Sequence, residues 1–138
     1  VGVLVGSIFS MILALGLSKV FSMTEQLTTS LIPQSITTAI AVSLSEEYQG
    51  IAAVTAITVV LRGVTGAVIA PTIMKIFKID DPVAQGVAIG TSAHAVGTSQ
   101  ARQMGEVQGA MSGLSIAIAG IITVILMPIA MMLVNVVF

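Results

Sequence analysis

Apolar residues run almost unbroken through three stretches of the chain, and polar residues gather in the gaps between them. The first stretch, Val1 to Val20, ends at Lys19 and the polar Ser22-Met23-Thr24-Glu25-Gln26. The second, Ile51 to Ile76, holds Arg62 near its middle and Pro71 near its end. The third, Val107 to Phe138, carries no charge and contains Pro128, where a kink is predicted. A helix needs roughly 20 apolar residues to cross about 30 Å of hydrocarbon. Each stretch meets that length, which predicts transmembrane spans at about 1–20, 51–76 and 107–138.

The two remaining stretches do not read as ordinary spans. Leu31 to Ser45, LIPQSITTAIAVSLS, is uncharged, short and rich in Ser and Thr. Pro82 to Gly105, PVAQGVAIGTSAHAVGTSQARQMG, sets apolar patches around a polar centre. Non-helical backbone at membrane depth survives only where protein buries it or a wet cavity lines it. Short hydrophobic segments interrupted by Gly or Pro mark the broken helices of secondary transporters. Discontinuous or re-entrant segments are therefore expected at about 31–47 and 82–104, and the fold class is an all-α polytopic transmembrane bundle. Asp80-Asp81-Pro82 opens the fourth segment with acidic residues and an N1-type proline, both favoured at a helix start. Lys75 and Lys78 close the third segment and suggest that this loop faces the cytoplasm. Glycines recur at every fourth position, at Gly2 and Gly6, Gly86 and Gly90, and Gly105, Gly109 and Gly113. That spacing lets helices approach closely in lipid.

Composition agrees with a lipid solvent. Charged residues make up 8% of the chain, against about a quarter in a soluble domain. Apolar residues make up 56%, and mean hydropathy is +1.10. A signal peptide explains one apolar segment near a start, not several through a chain. The chain begins inside an apolar run without Met, so its natural start is expected upstream. Zero cysteines remove disulfides and thiolate metal sites. Five scattered basic residues and a net charge of −1 give no stripe for a nucleic-acid backbone.

Few residues can carry chemistry. His94 is the only histidine, within Gly90-Thr91-Ser92-Ala93-His94-Ala95-Val96-Gly97-Thr98-Ser99. An ionisable group inside a membrane is a functional hypothesis by default, and an imidazole suits proton exchange near neutral pH; the alternative is a neutral imidazole bonded to a neighbouring hydroxyl or carbonyl. The glycines on either side favour a break in the helix there, which would free backbone N–H groups for an anion or polar solute. Ser35, Thr37 and Thr38 follow Pro33 as a second polar centre, and the two centres together could form one site near the midplane. The competing account is that these hydroxyls bond back to their own helices. Arg62 could neutralise a carboxylate, pair with a buried acid or snorkel to an interface. Arg102 and Glu106, four apart, read as a surface pair, and Glu46 and Glu47 as part of a solvated loop. With no cysteine, no histidine pair, no G-x-S-x-G and no phosphate loop, an enzyme is not expected, nor any cofactor or metal.

Three blocks of the sequence, SLIPQSITTAIAVSLSEEYQGI, GVTGAVIAPTIMKIFKIDDPVAQGVAIGTSAHAVGTSQA and MGEVQGAMSGLSIAIAGIITVILMPI, closely resemble the LrgB family of membrane proteins, in its C-terminal part. The most specific elements are Ser30-Leu31-x-Pro33-x-Ser35-x-Thr37-Thr38, Gly90-Thr91-x-x-His94-x-x-Gly97-Thr98 and Gly105-Glu106-x-x-Gly109. The family is named for antiholin-like control of murein hydrolase export and autolysis. It includes the plastid glycolate/glycerate transporter of plants, and bacterial members are associated with pyruvate uptake. The resemblance thus implies a carrier for small 2-oxo or 2-hydroxy monocarboxylates, with a small LrgA-type membrane partner. Gln34 and Gln100 depart from the family pattern, standing where basic residues are usual, which weakens the case for a strongly anion-attracting site.

Taken together, the expectation is a multi-pass plasma-membrane protein that transports a small monocarboxylate by alternating access. Ser35, Thr37, Thr38, Thr91, Ser92, His94, Thr98 and Ser99 would hold the solute, and Arg62 or Arg102 would pair its charge. A homo-oligomer is expected, as is half of an inverted-repeat fold whose other half lies upstream. The alternative is an antiholin-like or holin-like regulator of murein hydrolase export and autolysis without a substrate site.

Overall fold

Six helices account for nearly all of the chain in a computed structural model, which describes residues 1–137: α1 (Gly2–Val20), α2 (Glu25–Leu31), α3 (Thr38–Glu47), α4 (Ala52–Ile76), α5 (Pro82–Met104) and α6 (Glu106–Val137). Among them, α1, α4 and α6 are long and apolar enough to cross a membrane. α6 continues through Pro128 without a break.

The sequence signals set the ends. The Thr24 hydroxyl accepts the Leu27 N–H at 3.4 Å and opens α2, while the Asp81 carboxylate accepts the Ala84 N–H at 2.7 Å and opens α5 beside Pro82. Helices α1, α3 and α4 end in one shared turn. Ser22, Gln49 and Lys78 sit at φ 49, 63 and 51, and the next N–H reaches back to Ser18, Ser45 and Met74. This left-handed cap satisfies the last carbonyls, and all three helices use it without glycine.

The two shorter segments fold back on themselves. In the first, α2 and α3 are joined by non-helical residues 32–37 around Pro33. Thr24, Glu25 and Gln26 at the entrance line one cavity with Tyr48 and Gln49 at the exit. A clasp holds the two arms together. The Thr55 hydroxyl of α4 lies 2.9 Å from the Ser30 carbonyl and 2.8 Å from the Ser45 hydroxyl, and Ser30 Oγ accepts the Ile51 N–H at 2.7 Å. In the second, α5 leaves helical geometry at His94 (φ 37, ψ −133). Past that point Gly97 lies against Ile89, so close that an added Cβ would stand 2.8 Å from the Ile89 side chain. Eight residues along a straight helix would be about 12 Å apart. Gln85, near the start of α5, and Met104, at its end, line one cavity with Gln108 of α6, and Gln108 Nε2 donates to Gln85 Oε1 at 3.0 Å. α5 is therefore a hairpin of two arms, 82–93 and 95–104, with its tip at His94.

The hairpins enter from opposite ends of the bundle. Thr29 of the first touches Met131, near the far end of α6, at 3.8 Å. The open end of the second lies beside Gln108, near the start of α6, and Lys75, near the end of α4. α1 runs alongside the first arm of α5, with Gly2 facing Val87 and Gly6 facing Thr91.

Burial is inverted relative to a water-soluble bundle. α1 buries Ser7, Ser10, Met11, Ala14 and Ser18 and exposes Phe9, Ile12, Leu13 and Leu17. Lipid gives no drive to hide apolar groups, so small and polar residues make the contacts between helices. One core gathers Met11, Ile32, Ile36, Val59, Ala119 and Met127. The glycines divide by role. Gly86 and Gly90 seat the backbone of α6 at Gln108 and Ser112, and Gly109 seats the Arg102 stem, while Gly113 faces open space. Glu46 and Glu47 form the exposed last turn of α3 rather than a loop. Arg102 and Glu106 stand on different helices, separated by the extended Gly105, so their spacing is not a helical one.

Candidate functional site

Pro33 and the polar residues after it make the first tip. Ser35 is buried and its hydroxyl has no partner, whereas Thr37, the N-cap of α3, is half-buried and makes no side-chain cap bond. Thr38 is exposed and Gln34 half-buried.

At the second tip, the reversal falls on His94 itself, which is 3% exposed. The flanking glycines do not make the bend with unusual backbone angles, since none of them lies in the left-handed region. Their role is space. Gly97 admits Ile89, and Gly63 and Gly66 of α4 admit the His94 ring and Ala93. The imidazole bonds the Val59 backbone on one edge, while its Nε2 is buried without a partner. A backbone angle this rare for a side-chain-bearing residue costs on the order of 1–3 kcal/mol and is found chiefly at functional positions.

The surrounding hydroxyls are partly engaged. Thr91 is buried and donates to the Val87 carbonyl at 2.8 Å, and the exposed Ser92 donates to Ala88 at 2.7 Å. Thr98 donates to the His94 carbonyl at 3.0 Å and meets the Ser112 hydroxyl at 2.7 Å, tying the returning arm to α6. Ser99 is exposed. Arg62 reaches across the tip from α4. Its Nε donates to the Ser92 carbonyl at 2.9 Å and its Nη1 to the Ser10 hydroxyl of α1 at 2.7 Å. Reversal at His94 takes the Ser92 carbonyl out of the helical ladder, and the guanidinium supplies the donor it lacks. Arg102 is exposed at the open end of the hairpin, away from the tip.

The two tips approach through Val59, which packs in the same core as Ile36 and bonds His94. Among the described residues no hydrogen bond joins 35–38 to 90–99. Two cavities flank Arg62 instead. One of about 650 Å³ lies between α1 and the first arm of α5, and one of about 300 Å³ lies between α4 and the same arm. Ser10, Ser112 and Gly63 complete the site without standing out in the sequence. The spacing of Ser7, Ser10 and Ser18 on one face of α1 was the available signal for the first.

Residues 1–133 match the LrgB-like family. The chain belongs to the LrgB-like family. Similar LrgB relatives include proteins named Antiholin-like protein LrgB from Bacillus cereus strains B4264 and AH187 and from Bacillus anthracis strain CDC 684 / NRRL 3495. Each is 35% identical over 129 residues, covering 94% of this chain and 56% of the relative. This LrgB-like chain thus spans about half the length of the curated relatives it matches. No solved structure matches it. Its three apolar spans and its LrgB membership make it a membrane protein.

Proposed function

We propose that this chain is part of a carrier for a small monocarboxylate of the pyruvate, glycolate or glycerate type, working by alternating access. The observation that carries the reading is the pair of hairpins entering from opposite ends, with two buried, unpartnered polar atoms, Ser35 Oγ and His94 Nε2, at their tips. Leaving such groups unbonded costs about 1–3 kcal/mol each, and a polar solute arriving between the tips would recover part of that. Ser35, Thr37, Thr38 and Ser99 carry the hydroxyls available to it, Thr91, Ser92 and Thr98 would join them by turning from the carbonyls of Val87, Ala88 and His94, and His94 is the group that could move a proton. Each hairpin follows one span, α1 and then α4, and the two units run in opposite directions. Such a pair is the arrangement in which rocking of one unit against the other exposes a central site alternately to the two sides. This inverted pairing lies within the chain, and a larger inverted repeat with an upstream half belongs to the same reading. A plasma-membrane location, a homo-oligomer and a small LrgA-type partner belong to the same reading.

A second reading is favoured by the printed name of the Bacillus relatives: an antiholin-like regulator of murein hydrolase export and autolysis without a solute site. Uptake of labelled pyruvate, glycolate and glycerate into proteoliposomes separates them. The carrier reading expects saturable uptake, competition among the three acids and sensitivity to a pH gradient. His94→Ala should abolish or uncouple uptake while the protein still inserts. Absence of uptake of all three acids by folded protein would sink the carrier and leave the regulator.

A further inference from the structure

Arg62 presents an unbalanced charge. It sits about halfway along a span, where a cation is costly and normally has a partner. Among the described residues no carboxylate bonds it; its partners are the Ser92 carbonyl and the Ser10 hydroxyl, both neutral. A guanidinium has five N–H donors, and these two bonds leave three of them unused. Arg62, Ala88 and Ser92 line both flanking cavities, so the free donors border open space on either side of the first arm. The larger cavity, about 650 Å³, is big enough for a small organic molecule, and apart from the polar rim near Arg62 its walls are apolar, including Phe9, Leu13 and Val87. One other charged residue, Asp81, lines this cavity. It lies eleven positions before Ser92, about 16 Å along a helix, is exposed, and caps its own helix.

We propose that Arg62 binds a small organic anion of single charge in the cavity between α1 and the first arm of α5, one carboxylate against the guanidinium and an apolar body against Phe9 and Leu13. A carboxylate fits the planar fork through two parallel bonds. The Ser10 hydroxyl, which accepts from Arg62, keeps its own proton to give the anion a third bond. A single cation balances a single negative charge, so a dicarboxylate would carry an unpaired charge into an apolar pocket and be rejected. The proposal rests on the carrier reading for its substrate class, and it adds to the site between the tips an anion position beside the second tip, on the α1 side.

The chain has no cysteine, so a single Ala88→Cys substitution reports on both cavities. In the full chain in lipid vesicles, the rate of maleimide labelling at this position is followed as pyruvate is added, with neutral methyl pyruvate and the dianion malonate as comparators. Pyruvate is expected to slow labelling at least threefold, and the comparators to leave it unchanged. Arg62→Gln should abolish protection. Arg62→Lys, which keeps the midplane charge and so guards against a folding defect, should raise the half-protecting concentration about tenfold, because an ammonium lacks the fork. Protection by pyruvate that persists in Arg62→Gln, or equal protection by methyl pyruvate, would overturn the proposal, as would labelling of the unsubstituted-Arg62 protein indifferent to pyruvate. Uptake measured in the same vesicles separates the two ideas. Arg62-dependent protection without uptake overturns the carrier and leaves the anion site, whereas uptake unaltered by Arg62→Gln overturns the anion site alone.

Discussion

His94 concentrates the strain, the burial and the missing hydrogen bond of the second tip in one residue. Its backbone sits at φ 37, where a Cβ is unfavourable and glycine is not. Replacement by alanine and by glycine therefore separates the two contributions. His94→Ala removes the imidazole and its bond to Val59 but keeps the strained Cβ. His94→Gly removes both the ring and the strain. The glycine variant is expected to be the more stable of the two by about 1 kcal/mol, on the scale of the strain it relieves. Thermal unfolding of both variants in detergent reads this directly, and equal midpoints would mean that the hairpin relaxes around the alanine. Part of this residue was legible in the sequence. A lone ionisable group between glycines in a membrane segment draws attention, and the chain does break there. What the sequence did not reveal is that His94 makes the turn while Gly90 and Gly97 serve packing, because a glycine chosen for φ and one chosen for space look alike in one sequence.

At the scale of elements, hydropathy was sufficient for α1, α4 and α6, since each needs only length and an apolar composition. It could not give the direction of the two polar segments. A helix that crosses and a hairpin that returns can share one composition, and the difference lies in which ends meet. The clues are the long-range bonds, Gln85 to Gln108 in one hairpin and Ser30, Ser45 and Thr55 in the other, none of which is visible from local periodicity. The clasp at Thr55 is buried, so removing its hydroxyl leaves the Ser30 carbonyl without that donor. Thr55→Val, nearly equal in volume, is expected to cost about 1–3 kcal/mol and to loosen the first hairpin specifically. Faster hydrogen exchange over residues 25–47 with residues 82–104 unchanged is the expected signature. Uniform acceleration across the chain would mean instead that the clasp supports the whole bundle.

In the molecule as a whole, three apolar helices long enough to cross a membrane surround two hairpins that meet near Val59 from opposite ends. The polar midline this creates follows from the inverted burial of the chain. Serines and glycines that look unremarkable in an apolar run are the residues that let α1, α4 and α6 close around the tips. The expected link between His94 and uptake, and between Arg62 and anion protection, both depend on this arrangement, because a second hairpin that crossed instead would carry His94 away from Val59 and Arg62 away from Ser92. Single cysteines introduced at Ser22, Gln49, Lys78 and Gln103, all exposed near element ends, and labelled with a membrane-impermeant reagent from each side of oriented vesicles, test it most directly. Positions 22 and 49 are expected to label from one side and positions 78 and 103 from the other. Labelling of position 103 from the side of 49 would make α5 a full crossing and contradict the account.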